Sequence, residues 1–208
     1  MSSVITLAQQ KGGSGKTTLA VNLAVMLARE GHAVALLDTD PQGSLGRWFM
    51  TRRERLGAGE LEFSTASAWG VAYECEKLRR AADFVIIDTP PKVDADLRPA
   101  LREADLVVVP VASSHVDLWA TEGVLDLARR EGRRALVVLN RARAGTRLGA
   151  EVAAAAARMD ADLAETPLAN RVVYAETLGI GLGAVEAPRS AAAERELHAL
   201  VTEIRARL

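Results

Sequence analysis

A doubly wound, mainly parallel β-sheet with helices on both faces is the fold class this sequence predicts, and three observations carry the prediction. Short continuous apolar runs such as Val4-Ile5-Thr6-Leu7-Ala8 and Ala33-Val34-Ala35-Leu36-Leu37 recur along the chain. Runs of that length and continuity are what strands covered on both faces look like. Stretches with helical apolar spacing lie between them, so strand and helix alternate throughout. At the first junction of the two stands a glycine-rich loop, Gln10 to Thr18.

In order, the first strand feeds that loop and a helix from Leu19 to Glu30. A second strand ends at Leu37 and delivers Asp38-Thr39-Asp40-Pro41-Gln42-Gly43 to the same edge of the sheet. Leu45 to Arg53 reads as a short helix carrying Trp48 and Phe49, Leu61 to Phe63 as a brief edge strand, and Val71 to Ala81 as a helix. Phe84 to Ile87 is a buried strand that ends in Asp88-Thr89-Pro90-Pro91, followed by a helix from Asp94 to Ala104. The strand Leu106 to Val111 leads through a loop containing Ser113, Ser114 and His115 into a helix from Val116 to Glu131. A strand from Ala135 to Arg141, an Ala-rich helix from Gly149 to Met159 and a last strand from Leu163 to Leu168 come next. Arg171 to Leu178 reads as a short helix and Gly179 to Gly183 as a flexible connector. The terminal helix, Ser190 to Leu208, puts Leu197, Leu200, Val201, Ile204 and Leu208 in one apolar stripe. That stripe lacks bulky aromatics and a lysine-rich opposite face, so packing on the sheet is expected, not a membrane surface.

The 208 residues fit one domain, expected to span 1–208, with ordinary soluble composition at 49% hydrophobic and 25% charged. The single Cys75 excludes an intramolecular disulfide and a one-subunit cysteine cluster, and a reducing cytoplasm is the expected setting. No apolar run approaches membrane-spanning length, and Met1-Ser2-Ser3 runs straight into strand with no signal peptide expected. A formal net charge of −1 gives no global field for nucleic acid. Between Arg129 and Leu208, thirteen Arg stand against ten Asp plus Glu, a mildly basic C-terminal part. The three histidines have no metal-ligand spacing, and His115 is expected as an exposed loop residue.

The loop Gln10-Lys11-Gly12-Gly13-Ser14-Gly15-Lys16-Thr17-Thr18 is a phosphate cradle, which makes the expected fold a P-loop nucleotide-binding one. Its glycines let consecutive N–H groups point inward without a Cβ in the way, and the helix that starts there adds the positive end of its dipole. Lys16 reaches the β- and γ-phosphates, and the Thr17 hydroxyl is placed to ligate Mg²⁺. Asp88, at the tip of a buried strand, meets the mechanical requirement for binding Mg²⁺ directly or through water. A carboxylate in the Asp38 to Gly43 loop can hold the attacking water, with Pro41 fixing the loop. Asp38, at the strand end, supports the Mg²⁺ shell, with helix capping as the alternative. Thr89-Pro90-Pro91 would serve as a second switch that senses the γ-phosphate.

K-G-G-S-G-K-T-T, D-T-D-P-Q-G-S-L-G-R-W and I-I-D-T-P-P, in this order, resemble the ParA/MinD ATPases, whose loop is a deviant Walker A motif. The likeness is closest to the small ParA partition proteins typified by ParF, which lack an N-terminal helix-turn-helix domain. It implies that Lys11 reaches across a nucleotide-sandwich homodimer, that Asp40 is the hydrolytic residue, and that Asn140 contacts adenine. A turn role for Asn140 stays open. Asp117 and Trp119 become candidates for contacts across the dimer. The resemblance further implies ATP and Mg²⁺ as cofactors, slow partner-stimulated hydrolysis, and non-specific DNA binding in the cytoplasm and on the nucleoid. Arg141, Arg143, Arg147, Arg171 and Arg189 are the DNA candidates, and a ParB-like or cargo adaptor protein is the expected stimulating partner. A MinD-like membrane-surface regulator is the main alternative. An iron–sulfur carrier would need bridging cysteines, and a metabolic ligase would need catalytic groups beyond the nucleotide site.

Overall fold

The computed structural model describes residues 2–57, 59–91, 97–112 and 114–208, apart from the side chains of Ala68 and His115. Seven parallel strands form one sheet in the order β3-β2-β4-β1-β5-β6-β7. They are β1 Ser3–Leu7, β2 Val34–Asp38, β3 Leu61–Thr65, β4 Phe84–Asp88, β5 Leu106–Ala112, β6 Ala135–Asn140 and β7 Asp162–Leu163. The eight helices of the described residues are α1 Lys16–Arg29, α2 Ser44–Leu56, α3 Val71–Arg79, α4 Leu97–Glu103, α5 His115–Arg130, α6 Arg147–Ala156, α7 Val172–Leu178 and α8 Ala191–Arg205.

Alternation along each strand splits the core into two faces. Ile5, Leu7, Leu36, Ile86, Val108 and Val138 turn to α1, α2, α7 and α8. Val107, Val109 and Val137 turn to α4, α5 and α6, while Val4, Leu37, Val85 and Ile87 turn to α3 and α4. A sheet buried on both sides needs apolar residues at both parities, which explains the unbroken apolar runs.

Several boundaries differ from expectation for local reasons. The first helix begins at Lys16 because Gly15, at φ 96°, turns the chain directly into it. Residues 94–96, expected to open the fourth helix, and Ser113 lie outside the described residues. The last strand shrinks to two residues because the Glu203 carboxylate on α8 accepts both the Glu165 and the Thr166 N–H, each at 2.8 Å. Of the stretch expected as a flexible connector, Gly179 and Ile180 are exposed but Gly181 to Gly183 are packed. Gly181, at φ +75°, lies so close to α2 that a Cβ would stand 2.5 Å from the Arg52 nitrogen, and one on Gly183 would stand 2.9 Å from Val25. The apolar stripe of α8 is buried as expected at Leu197, Leu200, Val201 and Ile204, in a cluster shared with α1 and the sheet. No described helix is long and apolar enough to cross a membrane.

Pro110 sits inside β5 although proline cannot donate to a ladder. The Val108 carbonyl accepts from Ala8 N and the Pro110 carbonyl from Gln9 Nε2, so both residues turn toward β1. The β1 pairing ends at Val108, so the absent N–H leaves nothing unpaired. A side chain, Gln9, takes over there.

Candidate functional site

Parallel register brings the site together. Leu7 pairs with Asp88 and Asp38 with Asp88, so the phosphate loop, the second-strand loop and the β4 tip share one edge. Gly13 and Gly15 take φ of 77° and 96°, conformations that favour glycine. No side chain caps α1, which leaves its first-turn amides for an anion. A Cβ on Gly15 would collide with the Asn140 side chain, so close approach demands glycine there as well.

Lys16 is buried and its Nζ donates to the Gln9 carbonyl at 3.1 Å. Burial pulls its pKa down, opposed by the charges of Asp88 and Asp40. Thr17 Oγ1 donates to Asp88 Oδ2 at 2.6 Å, while Asp88 Oδ1 is buried with no hydrogen-bond partner. Burial pushes the Asp88 pKa up to about 7, against the Thr17 hydrogen bond. A buried, unpaired carboxylate oxygen beside a threonine hydroxyl is a hard-oxygen donor set, and Mg²⁺ fits it. The described residues hold no group of three or more His, Cys, Asp or Glu able to cage a metal.

Asp38 is placed differently from Asp88. Its two oxygens accept the Asp40 N–H at 3.0 Å and the Gly46 N–H at 2.9 Å, so it organises the loop and caps α2. Burial raises its pKa despite those donors. Asp40 is partly exposed, its Oδ1 accepts from Gln42 N at 2.9 Å, and its charge acts on both Lys16 and Asp88. Thr39 ties this loop to β4, its N–H and its hydroxyl each 2.9 Å from the Asp88 carbonyl.

Lys11 and Lys16 live in opposite settings. The Lys11 side chain is 40% exposed, with Nζ 2.7 Å from Asp117 Oδ1, whose side chain is only 5% exposed. Asp117 in turn binds the Ser114 hydroxyl at the start of α5. Expected as a cross-dimer contact, Asp117 is therefore buried and committed within its own chain. Trp119, two residues on, is 69% exposed.

Asn140 is likewise committed, because its Nδ2 donates to the Ser14 carbonyl at 2.8 Å and its Oδ1 accepts from Arg141 N at 2.9 Å. The amide braces the phosphate loop, so the donor and acceptor expected for adenine are both in use. It borders a cavity of about 870 Å³ lined also by Lys11, Thr18, Asp117, Arg143 and Tyr174. Arg141 and Arg171 join Arg143 on that lining, whereas Arg147 and Arg189 are outside it. Arg171 is held by Glu196 through contacts of 2.5 to 3.2 Å, and Arg147 pairs with Glu151 at 2.7 Å. Gln9 and Thr121 were not singled out by sequence, whereas Thr89 was expected in a switch segment. Each is buried, and Thr89 Oγ1 donates to the Leu7 carbonyl at 2.7 Å.

The family model described as ATPase MipZ matches residues 3–129, more than half of the chain. The chain belongs to the MipZ/ParA/MinD family of P-loop ATPases. The maintenance of carboxysome distribution protein A of Halothiobacillus neapolitanus is 26% identical to this chain over 207 residues, covering 96% of this chain and 95% of that one. The chromosome-partitioning ATPase Soj of Thermus thermophilus is 38% identical over 149 residues, and the match spans 59% of each chain. The septum site-determining protein MinD of Pyrococcus horikoshii, solved with Mg-ADP, superposes with a TM-score of 0.81 at 20% identity, over 98% of this chain and 96% of that one. That likeness shows the P-loop ATPase fold.

Proposed function

We propose that the 208 residues form one switch ATPase domain that dimerises on ATP, binds DNA non-specifically and positions or partitions a cargo. The observation that carries the reading is the contrast between a buried Lys16 beside Thr17 and Asp88 and a half-exposed Lys11 on Asp117. One lysine belongs to its own site, and the other, paired with Asp117 at the surface, can be exchanged to serve a second.

In this reading Lys16 leaves the Gln9 carbonyl for the phosphates, and the first-turn amides of α1 take the remaining charge. Thr17 and the unpaired oxygen of Asp88 hold Mg²⁺, which supplies charge neutralisation on the β- and γ-phosphates. Asp38 keeps the second-strand loop and α2 in place and contributes to the metal's shell from outside. Asp40 orients the water that converts ATP and water to ADP and phosphate. Lys11 exchanges Asp117 for the phosphates of the partner subunit.

Pairing doubles whatever basic surface each subunit offers, and non-specific DNA affinity depends on the number of phosphates neutralised. Arg141, Arg143 and Arg171, which share the cavity lining, are the main contributors, with Arg147 and Arg189 beside them. A ParB-like or cargo adaptor protein stimulates turnover and sets the cargo. The names of the relatives, a carboxysome distribution protein and a chromosome-partitioning ATPase, support positioning as the general role.

The test is DNA binding with ATP, with ADP and with added salt. Binding that requires ATP and falls steeply with salt supports the reading, and ATP-independent or salt-insensitive binding contradicts it. ATP-dependent sedimentation with liposomes in place of DNA would favour the MinD-like membrane regulator instead.

A further inference from the structure

Three consecutive residues ahead of the glycine turn each touch α5, in three different ways. Gln9, buried at 1% exposure, donates from Nε2 to Thr121 Oγ1 at 2.9 Å and to the Pro110 carbonyl at 3.2 Å. Gln10 packs its side chain against Gly123, where a Cβ would collide with it. Lys11 reaches Asp117.

The peptide group between Gln9 and Gln10 is held at both ends. Its carbonyl accepts from Lys16 Nζ at 3.1 Å, and its N–H donates to Gln9 Oε1 at 2.8 Å. The Gln9 amide is itself fixed on Thr121, whose hydroxyl donates to the Asp117 carbonyl at 2.8 Å. A chain of contacts therefore runs from Lys16 through the 9–10 peptide, the Gln9 amide and the Thr121 hydroxyl to Asp117, and ends on Lys11. Both lysines lie on it.

We infer that Gln9 and Thr121 are positioning residues that couple occupancy of Lys16 to the hold Asp117 has on Lys11. The inference rests on the proposed reading that Lys16 takes phosphate. When Lys16 turns from the Gln9 carbonyl to a phosphate, one restraint on the 9–10 peptide is lost. The Gln9 amide bonded to that peptide then adjusts, and so does its partner on α5. Each link is buried or half-buried, where hydrogen bonds are worth more and a shift at one is felt at the next. The bland alternative is a satisfied core glutamine that packs α5 and transmits nothing. The two differ in energetic coupling, which the following test measures.

Amide hydrogen exchange across residues 116–123 of the full chain would be followed with and without Mg-ADP. ADP engages Lys16 without requiring a sandwich dimer. The wild type is expected to change exchange in this segment by about fivefold or more on binding ADP, the lower end of ordinary site-to-site coupling. Thr121→Val removes the hydroxyl at nearly constant shape. It is expected to keep ADP affinity within about twofold and to lose the exchange response, while Thr121→Ser restores it. A response that persists in Thr121→Val, or is absent from the wild type, overturns the inference. A lower melting temperature with the response intact also overturns it, because a purely packing role gives that result. Should Thr121→Val not fold, Gln9→Met interrupts the same chain one contact earlier and is read in the same way. If Lys16 does not serve the nucleotide, Lys16→Ala keeps its ADP affinity, which identifies failure of the proposed reading separately.

Discussion

The phosphate edge formed by β1, β2 and β4 and the cavity edge bordered by β6, α6 and α7 are built on different principles. On the phosphate edge, charged groups are buried and aimed. Lys16, Asp38 and Asp88 are each under 10% exposed, and Asp88 keeps an unpaired oxygen. On the cavity edge Arg171 is half-exposed and paired with Glu196, while Arg141 and Arg143 are exposed. Burying an unpaired carboxylate oxygen costs stability, and a molecule retains it where a cation is to be bound. The first edge is built for chemistry, the second for holding the C-terminal helices together while offering a surface.

The largest break between the two edges should come from Asp40→Ala. If Asp40 orients the attacking water as proposed, its loss is expected to cut ATP turnover about a hundredfold or more with nucleotide binding retained, as phosphate release and nucleotide titration would show. Arg171→Ala should leave turnover near wild type and reduce the salt slope of DNA binding by about one. Equal loss of turnover in both variants would erase the distinction.

Gly181→Ala probes the packing of the cavity side against α2. A side chain at φ +75°, 2.5 Å from the Arg52 nitrogen, is strained on both counts. We expect a loss of about 2 kcal/mol or more in urea denaturation. A flexible connector would lose a few tenths of that.

A pH series sharpens the phosphate side. The Asp88 pKa is raised from 3.8 to about 7 on folding, so between those values the folded state holds a proton that the unfolded chain has released. Stability without Mg²⁺ should therefore be highest below about pH 4 as far as Asp88 is concerned, and this contribution is lost as pH rises through about 7. Asp38, also raised by burial, acts in the same direction. The difference between wild type and Asp88→Asn, followed by denaturation from pH 5 to 8, should shrink or reverse in favour of the variant as pH rises. A flat difference would contradict the burial argument. With Mg-nucleotide present the trend should invert, because metal binding requires the ionised carboxylate. The smallest effect belongs to Arg147→Ala, whose exposed pair with Glu151 is worth at most about 0.5 kcal/mol.

The same contrast governs what could be read from sequence. The phosphate loop was legible because glycines, a lysine and a hydroxyl act through local backbone geometry, and Asp88 because a buried strand ending in a carboxylate is a local pattern. The strand-and-helix order was legible from apolar periodicity. Asn140 and Asp117 were legible as polar residues near the site, but their partners were not. Ser14 lies 126 residues from Asn140, and Lys11 reaches Asp117 across the sheet edge. Gln9 left no signal, since the acceptors of its side-chain Nε2 are 101 and 112 residues away. The short β7 and the packed Gly181 were hidden for the same reason: Glu203 and Arg52 determine them from elsewhere in the chain.

In the proposed sandwich, Lys11 and Lys16 serve nucleotides in different subunits. Light scattering on wild type, Lys11→Ala and Lys16→Ala with a non-hydrolysable ATP analogue tests it most directly. The wild type is expected to double in mass, Lys11→Ala to bind the analogue yet stay a monomer, and Lys16→Ala to bind none. A Lys11→Ala protein that pairs as well as wild type, or a wild type that binds the analogue and remains single, would contradict it.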